Sequence, residues 1–181
     1  MTRPRTILVL GGVRAGKSAY AVDRARALAG EAARVAFVAT AEALDAEMTA
    51  RIARHRAARP AHWQTVEAPL TLPSAIGDLE GKADVVVVDC LTLWVANLLG
   101  RAATLPDDAL LQETERLTIR LARRAFDAIV VSNEVGWGVH PETALGRRFR
   151  DALGLVNQAA AATADEVVLV VAGCPLWLKV P

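Results

Sequence analysis

Apolar residues in this chain gather into short, nearly unbroken runs separated by longer stretches of mixed character. The runs at 7–10, 34–40, 85–89, 128–132 and 166–172 are built mainly from Val, Ile, Leu, Ala and Phe. Runs that short and that rich in β-branched residues predict strands buried on both faces of a sheet. Between them the spacing turns helical, predicting helices over 17–29, 42–59, 91–99, 108–125 and 142–162. In the second of these, Leu44, Met48 and Ile52 recur at every fourth position among charged residues. Pro60 ends or redirects that helix, and Pro69 and Pro73 mark a loop. Weaker signals give a short strand at 64–67, a helix at 74–79 and a last strand at 176–180. The stretch 100–107 reads as the least ordered loop. Neither a repeat nor a low-complexity linker divides the sequence, so a single domain over 1–181 is expected.

Strands alternating with helices predict a mainly parallel sheet flanked by helices on both faces. Ligands of such sheets bind beyond the carboxyl ends of the strands. Thr40, Asp89, Ser132 and Asn133 fall at those ends. The first predicted strand also breaks there, at Gly11-Gly12-Val13-Arg14-Ala15-Gly16-Lys17-Ser18. This is the G-x-x-x-x-G-K-[ST] pattern in its required setting, after a strand and before a helix. Its glycines let backbone amides turn inward around phosphate oxygens. Lys17 can reach the β- and γ-phosphates, Ser18 can ligate Mg²⁺, and the helix beyond adds the positive end of its dipole. A glycine-rich turn that merely packs would not need all these features together. The expected fold class is α/β, a P-loop NTPase of the RecA-like kind.

Composition sharpens this picture. A chain of 181 residues can bury roughly two-thirds of its surface. With 53% hydrophobic residues and a net charge of +1, it lacks the excess of basic charge that general binding to nucleic acid requires. No apolar run approaches the ~20 residues of a membrane span. The first run is too short for a secretory leader, so a cytoplasmic location is expected. Cys90 and Cys174 adjoin apolar strands and read as buried thiols rather than a disulfide or metal pair.

Three further features have chemical potential. Asp89 closes a run of four valines, and its place fits either an acid that holds Mg²⁺ or the N-cap of the next helix. His55 lies among Arg51, Arg54, Arg56 and Arg59. That pattern suits a solvated helix face as well as an imidazole that binds or attacks phosphate. Asn133-Glu134-Val135-Gly136 with Gly138 forms either a tight turn with a capping carboxylate or a loop that positions a substrate. His62 and His140, beside Trp63 and Pro141, suit loop packing.

The ordered set of motifs resembles the bifunctional adenosylcobinamide kinase/adenosylcobinamide-phosphate guanylyltransferase family of cobalamin biosynthesis. The likeness begins in the phosphate loop and continues through Phe37-Val38-Ala39-Thr40-Ala41, Asp45-Ala46-Glu47-Met48 and Arg51-Ile52-Ala53-Arg54-His55-Arg56. It resumes at Arg59-Pro60-Ala61-His62-Trp63, Asp89-Cys90-Leu91-Thr92-Leu93-Trp94, Asn97-Leu98-Leu99 and the stretch from Ser132 to Pro141. Phe149-Arg150-Asp151 and Gly154-Leu155-Val156-Asn157-Gln158 complete it, so it covers nearly the whole chain. The resemblance implies that His55 is the guanylylated histidine; Lys17 of the phosphate loop is the other candidate catalytic residue. It also implies nucleotide contacts at Ala39, Thr40, Ala41, Arg56, Ala57, Ala58, Arg59, Glu67 and Asp89. Two positions depart from some relatives: Arg54 stands where they carry a second histidine, and Asp89 where they carry glutamate.

The implied chemistry is transfer of a γ-phosphoryl group from ATP or GTP to adenosylcobinamide, a corrinoid. Transfer of GMP from GTP through His55 follows, giving adenosylcobinamide-GDP. Mg²⁺ is the implied cofactor and a homotrimer the implied assembly. Two other readings of the residues are a kinase that uses the phosphate loop alone and a nucleotide-binding module that transfers nothing.

Overall fold

A computed structural model describes residues 3–30, 32–101 and 106–180. Its elements run β1 (Thr6–Gly11), α1 (Lys17–Leu28), β2 (Val35–Ala39), α2 (Ala46–Ala57), β3 (Gln64–Glu67), α3 (Leu72–Gly77) and β4 (Val85–Asp89). They continue with α4 (Leu91–Arg101), α5 (Asp107–Arg123), β5 (Asp127–Val131), α6 (Ala144–Thr163), β6 (Glu166–Val171) and β7 (Cys174–Lys179). All the strands join one sheet in the order β3-β2-β4-β5-β1-β6-β7. Every pairing is parallel except that of β6 with β7.

The apolar runs divide by strict alternation. Leu8, Leu10, Ala36, Val38, Val86, Val88, Ala128 and Val130 face one side, where α3, α4, α5 and α6 cover them. Ile7, Val9, Val35, Phe37, Val85, Val87, Ile129 and Val131 face the other, beneath Ala21, Val22 and Ala25 of α1 and the indole of Trp63. Burial on both faces explains why these strands read as continuous runs. The chain leaves β1 towards β2 on one side and reaches β6 on the other, so β1 lies at a reversal of strand order. A crevice at such a reversal is where a doubly wound sheet takes its ligands.

Several expectations need correction in detail. α2 begins at Ala46 rather than 42, because Asp45 caps it by accepting the Met48 amide at 2.7 Å. None of its described residues is buried, and Leu44 lies outside it, 80% exposed. The fourfold apolar spacing therefore does not seat this helix on the sheet; α2 stands off at the carboxyl edge. Cys90 is buried, but Cys174 is exposed on the edge strand β7, so burial holds for one thiol and not the other. β7 starts earlier than expected because Ala172 and Gly173, both at positive φ, turn the chain straight back onto β6. Part of the loop expected at 100–107 is helical to Arg101, and 102–105 lie outside the described residues. Among the described residues no helix is long and apolar enough to cross a membrane.

Candidate active site

The phosphate loop is shaped by contacts from distant parts of the chain. At Gly11 φ is +148°, and a Cβ there would lie 2.3 Å from the Val170 carbonyl oxygen of β6. Gly16 has φ +101°, and its Cβ would meet Gly173 in the β6–β7 turn at 3.4 Å. The Gly173 amide donates to the Ala15 carbonyl at 2.9 Å, fixing that turn behind the loop. The local pattern around the motif carries no signal of this brace, since the turn lies at the far end of the sequence.

Gly16 starts α1 without a side-chain cap, and the first turn carries no acidic residue. Its opening amides are therefore free to face an anion. Lys17 is 7% exposed and donates to the Gly12 carbonyl at 2.6 Å. Burial lowers its pKa below the usual lysine value, against the attraction of the Asp89 carboxylate. An ammonium that is partly dehydrated and already placed inside the loop is suited to a phosphate oxygen.

Asp89 is the meeting point. Ser18 Oγ donates to its Oδ2 at 2.8 Å. The same Oδ2 lies 3.7 Å from Nδ1 of His55, which is 40% exposed in the last turn of α2. α2 thus reaches the loop with its final turn, the one that carries Arg54, His55 and Arg56.

Arg59 lies just beyond α2. Its guanidinium stacks on Phe37 with 3.7 Å to the ring centroid, and its Nε donates to the His55 carbonyl at 3.1 Å. Its Nη1 is buried without a partner among the described residues. Burial lowers the Arg59 pKa, opposed by the pull of Asp89. A buried guanidinium nitrogen with no acceptor is a costly arrangement that an anionic ligand would relieve.

The remaining candidates separate into two groups. Ala39, Ala41, Ala57, Ala58 and Glu67 sit on the same carboxyl edge, where Glu67 pairs in register with Ala39. Gly12, Val13, Arg14 and Arg56 are exposed there too. Thr40, by contrast, is fully buried: its hydroxyl donates to the Cys90 carbonyl at 2.7 Å and accepts the Cys90 amide at 2.8 Å. Asn97 Nδ2 donates to both the Thr40 and Pro69 carbonyls, at 2.8 and 3.1 Å. These bonds tie β2 to β4 and α4, and hold Asp89 in place beside them. Asn157 does the same for the β5–α6 loop. It accepts from Ser132 Oγ at 2.6 Å and donates to the Asn133 carbonyl at 3.0 Å. Asn97 and Asn157 are polar residues inside apolar helical patterns, and both stand in the motif series that carries the resemblance.

His62 is exposed at the opposite edge, beside a cavity of about 310 Å³ that Lys82 also lines, at the amino ends of β2, β3 and β4. A second concavity, of about 680 Å³, opens at the same edge around Arg3, Arg5 and Lys179. Neither holds a nucleophile next to a phosphate loop. The candidate residues around the phosphate loop gather instead at the carboxyl edge.

The model of the cobinamide kinase/cobinamide phosphate guanyltransferase family matches residues 7–178. The chain belongs to this family. The bifunctional adenosylcobalamin biosynthesis protein CobP of Pseudomonas aeruginosa is 45% identical over 174 residues, covering 95% of this chain and 96% of that protein. The CobU proteins of Salmonella typhimurium and Escherichia coli, named as bifunctional in the same pathway, are 40% and 41% identical and are each 99% covered. Among solved structures, the chain resembles a type III secretion system ATPase, with a TM-score of 0.58 at 12% identity over 91% of this chain and 50% of that one. The flagellar accessory protein FlaH of Methanocaldococcus jannaschii gives 0.50 at 14% identity over 98% and 80%. Those two likenesses establish the fold class, an α/β P-loop sheet, and nothing finer.

Proposed function

We propose that this protein phosphorylates adenosylcobinamide with ATP or GTP, then transfers GMP from GTP through His55 to give adenosylcobinamide-GDP. Family membership supports the pair of reactions. The observation that carries the assignment of residues is the convergence on Asp89, whose Oδ2 lies 2.8 Å from Ser18 Oγ and 3.7 Å from His55 Nδ1. A nucleophile on a separate helix is thereby brought to the place where the loop would hold phosphates.

In the first reaction the loop amides and Lys17 hold the β- and γ-phosphates, the ammonium exchanging the Gly12 carbonyl for a phosphate oxygen. The corrinoid hydroxyl attacks the γ-phosphorus in line, and the nucleoside diphosphate leaves with the bond pair. In the second, the imidazole attacks the α-phosphorus of GTP while the bond to the bridging oxygen breaks and pyrophosphate departs. With Nδ1 turned to Asp89, Nε2 is the nitrogen left to attack. The phosphate now on the corrinoid displaces the imidazole from the same phosphorus. Imidazole suits both halves, being nucleophilic when neutral and a good leaving group when protonated. Arg56 and Arg59 take anionic oxygens of the nucleotide. The unpartnered Arg59 Nη1 supports that role.

Ser18 and Asp89 are the residues that would hold Mg²⁺. Their two oxygens suit a hard cation, and no group of three or more acidic, His or Cys side chains among the described residues offers a fuller cage. That fits a metal which takes few protein ligands and completes its shell with phosphate and water. When bound, Mg²⁺ neutralises charge on the phosphate oxygens. A cytoplasmic homotrimer completes the proposal. The exposed Leu176, Trp177 and Leu178 of β7 support self-association.

The test is retention of label. GTP labelled at the α-phosphate should leave radioactivity on the denatured protein, whereas GTP labelled at the γ-phosphate should not. A phosphate-loop kinase or a passive nucleotide-binding module would retain neither.

A further inference from the structure

The nucleotide accounts for one ligand of the site, but the corrinoid must also be held with its reacting oxygen at the phosphate loop. We infer that the β5–α6 loop, through Trp137 and Val139, is the platform on which the corrin ring lies; the inference rests on the function proposed above.

The loop is fastened at both ends and open in the middle. At its root, the Glu134 amide donates to the Gly11 carbonyl at 3.2 Å, placing the loop against the phosphate loop itself. The Asn133 amide donates to Thr92 Oγ1 at 2.8 Å, and Asn157 holds the Asn133 carbonyl. At its far end, Arg147 Nη1 donates to the carbonyls of Pro141 and Glu142 at 3.0 and 2.7 Å. Arg150 Nη2 lies 3.0 Å from His140 Nδ1. Between these fastenings Trp137 is 76% exposed and Val139 95% exposed. Gly136 and Gly138, which flank the indole, both lack a positive φ. An added Cβ at either would meet nothing within 4 Å among the described residues. Backbone strain therefore does not call for glycine there. What the two glycines leave is clear space beside an indole, which a broad, flat ligand could fill.

The chemistry of the acceptor selects the occupant. A corrin is a wide macrocycle whose periphery carries methyl groups between polar amide side chains. In adenosylcobinamide the adenosyl group covers one face, so an aromatic ring set against the apolar periphery or the other face is the natural contact. The other markedly exposed tryptophan, Trp177, pairs with Val168 midway along the sheet, away from the loop's carboxyl edge. Val13, in the phosphate loop, is another exposed apolar side chain, at 70%.

The experiment compares Trp137→Ala and Trp137→Phe with the unaltered protein by titration calorimetry against adenosylcobinamide and, separately, GTP. The alanine variant should bind the corrinoid about tenfold or more weakly, as expected when a central aromatic contact is removed. The phenylalanine variant should recover most of that loss. GTP affinity and labelling from GTP alone should stay within about twofold in both, because a surface substitution away from the nucleotide leaves its contacts in place. Unchanged corrinoid affinity in Trp137→Ala overturns the platform. So does an equal loss of GTP affinity, which would make the loop a support of the phosphate site. A change in molecular mass on light scattering would overturn it too, by placing the indole between copies of the chain. Binding needs no turnover, so absence of label on the unaltered protein would count against the His55 route alone.

Discussion

Gly11→Ala is the most exacting check on how the phosphate loop is built. The new Cβ would lie 2.3 Å from the Val170 carbonyl oxygen, a backbone atom of β6 at the position paired with Gly11. The φ of +148° adds strain of its own, since alanine avoids that region at a cost of about 1–3 kcal/mol. Moving apart two paired strands costs about 1–3 kcal/mol more, as overpacking in a close-packed core does. The sum, about 2–6 kcal/mol, would lower the melting temperature by roughly 4–24 °C for a domain of this size. Gly12→Ala is the paired control. Its Cβ meets nothing within 4 Å among the described residues, so its stability should change by no more than about 0.5 kcal/mol. Thermal melts and urea titrations of both variants, without nucleotide, give the comparison. A Gly11 variant as stable as the unaltered protein would refute the reasoning, as would a Gly12 variant that loses as much.

Lys17→Ala removes the ammonium held beside Gly12 and should abolish most kinase turnover in a protein that still melts normally; near-normal turnover in a steady-state assay would rule out its role. Asp89→Asn removes the charge shared by Ser18 and His55, so Mg-GTP affinity or turnover should fall at least tenfold, about 1.4 kcal/mol. Calorimetry and turnover both unchanged would count against that. Burial pushes the Cys90 thiol up to about 11, so it stays protonated at neutral pH, whereas Cys174 is exposed. Ellman's reagent should therefore react quickly with Cys174 alone in the native protein, and with both cysteines in denaturant; two fast thiols in the native state would contradict the burial of Cys90.

What the sequence made legible follows from how far apart the cooperating residues lie. The strands declare themselves because burial on both faces forces unbroken apolar runs, and the phosphate loop because its spacing is local. The helix α2 was legible from the spacing of Leu44, Met48 and Ile52, but its start was not, because the Asp45 cap begins it at Ala46 and leaves Leu44 outside it. Cys174 looked buried because its neighbours are apolar, yet the edge position of β7 exposes it. The approach of Asp89 to His55 and the bracing of Gly16 by Gly173 join positions far apart in the chain. No local pattern encodes such contacts. His55 itself stood out only through the resemblance of the whole motif series, since a histidine among arginines reads equally well as a solvated face.

The central claim is that one imidazole carries the guanylyl group while a separate loop carries the kinase chemistry. It is tested most directly by incubating the unaltered protein, His55→Ala and His62→Ala with α-labelled GTP and Mg²⁺, then denaturing each and challenging the adduct with acid and base. A phosphorus–imidazole bond is lost in acid and survives base, unlike a serine ester or a carboxylate adduct. The account predicts acid-labile, base-stable label on the unaltered protein and on His62→Ala, none on His55→Ala, and kinase activity remaining in all three. Label persisting on His55→Ala, or an adduct that withstands acid, would contradict it.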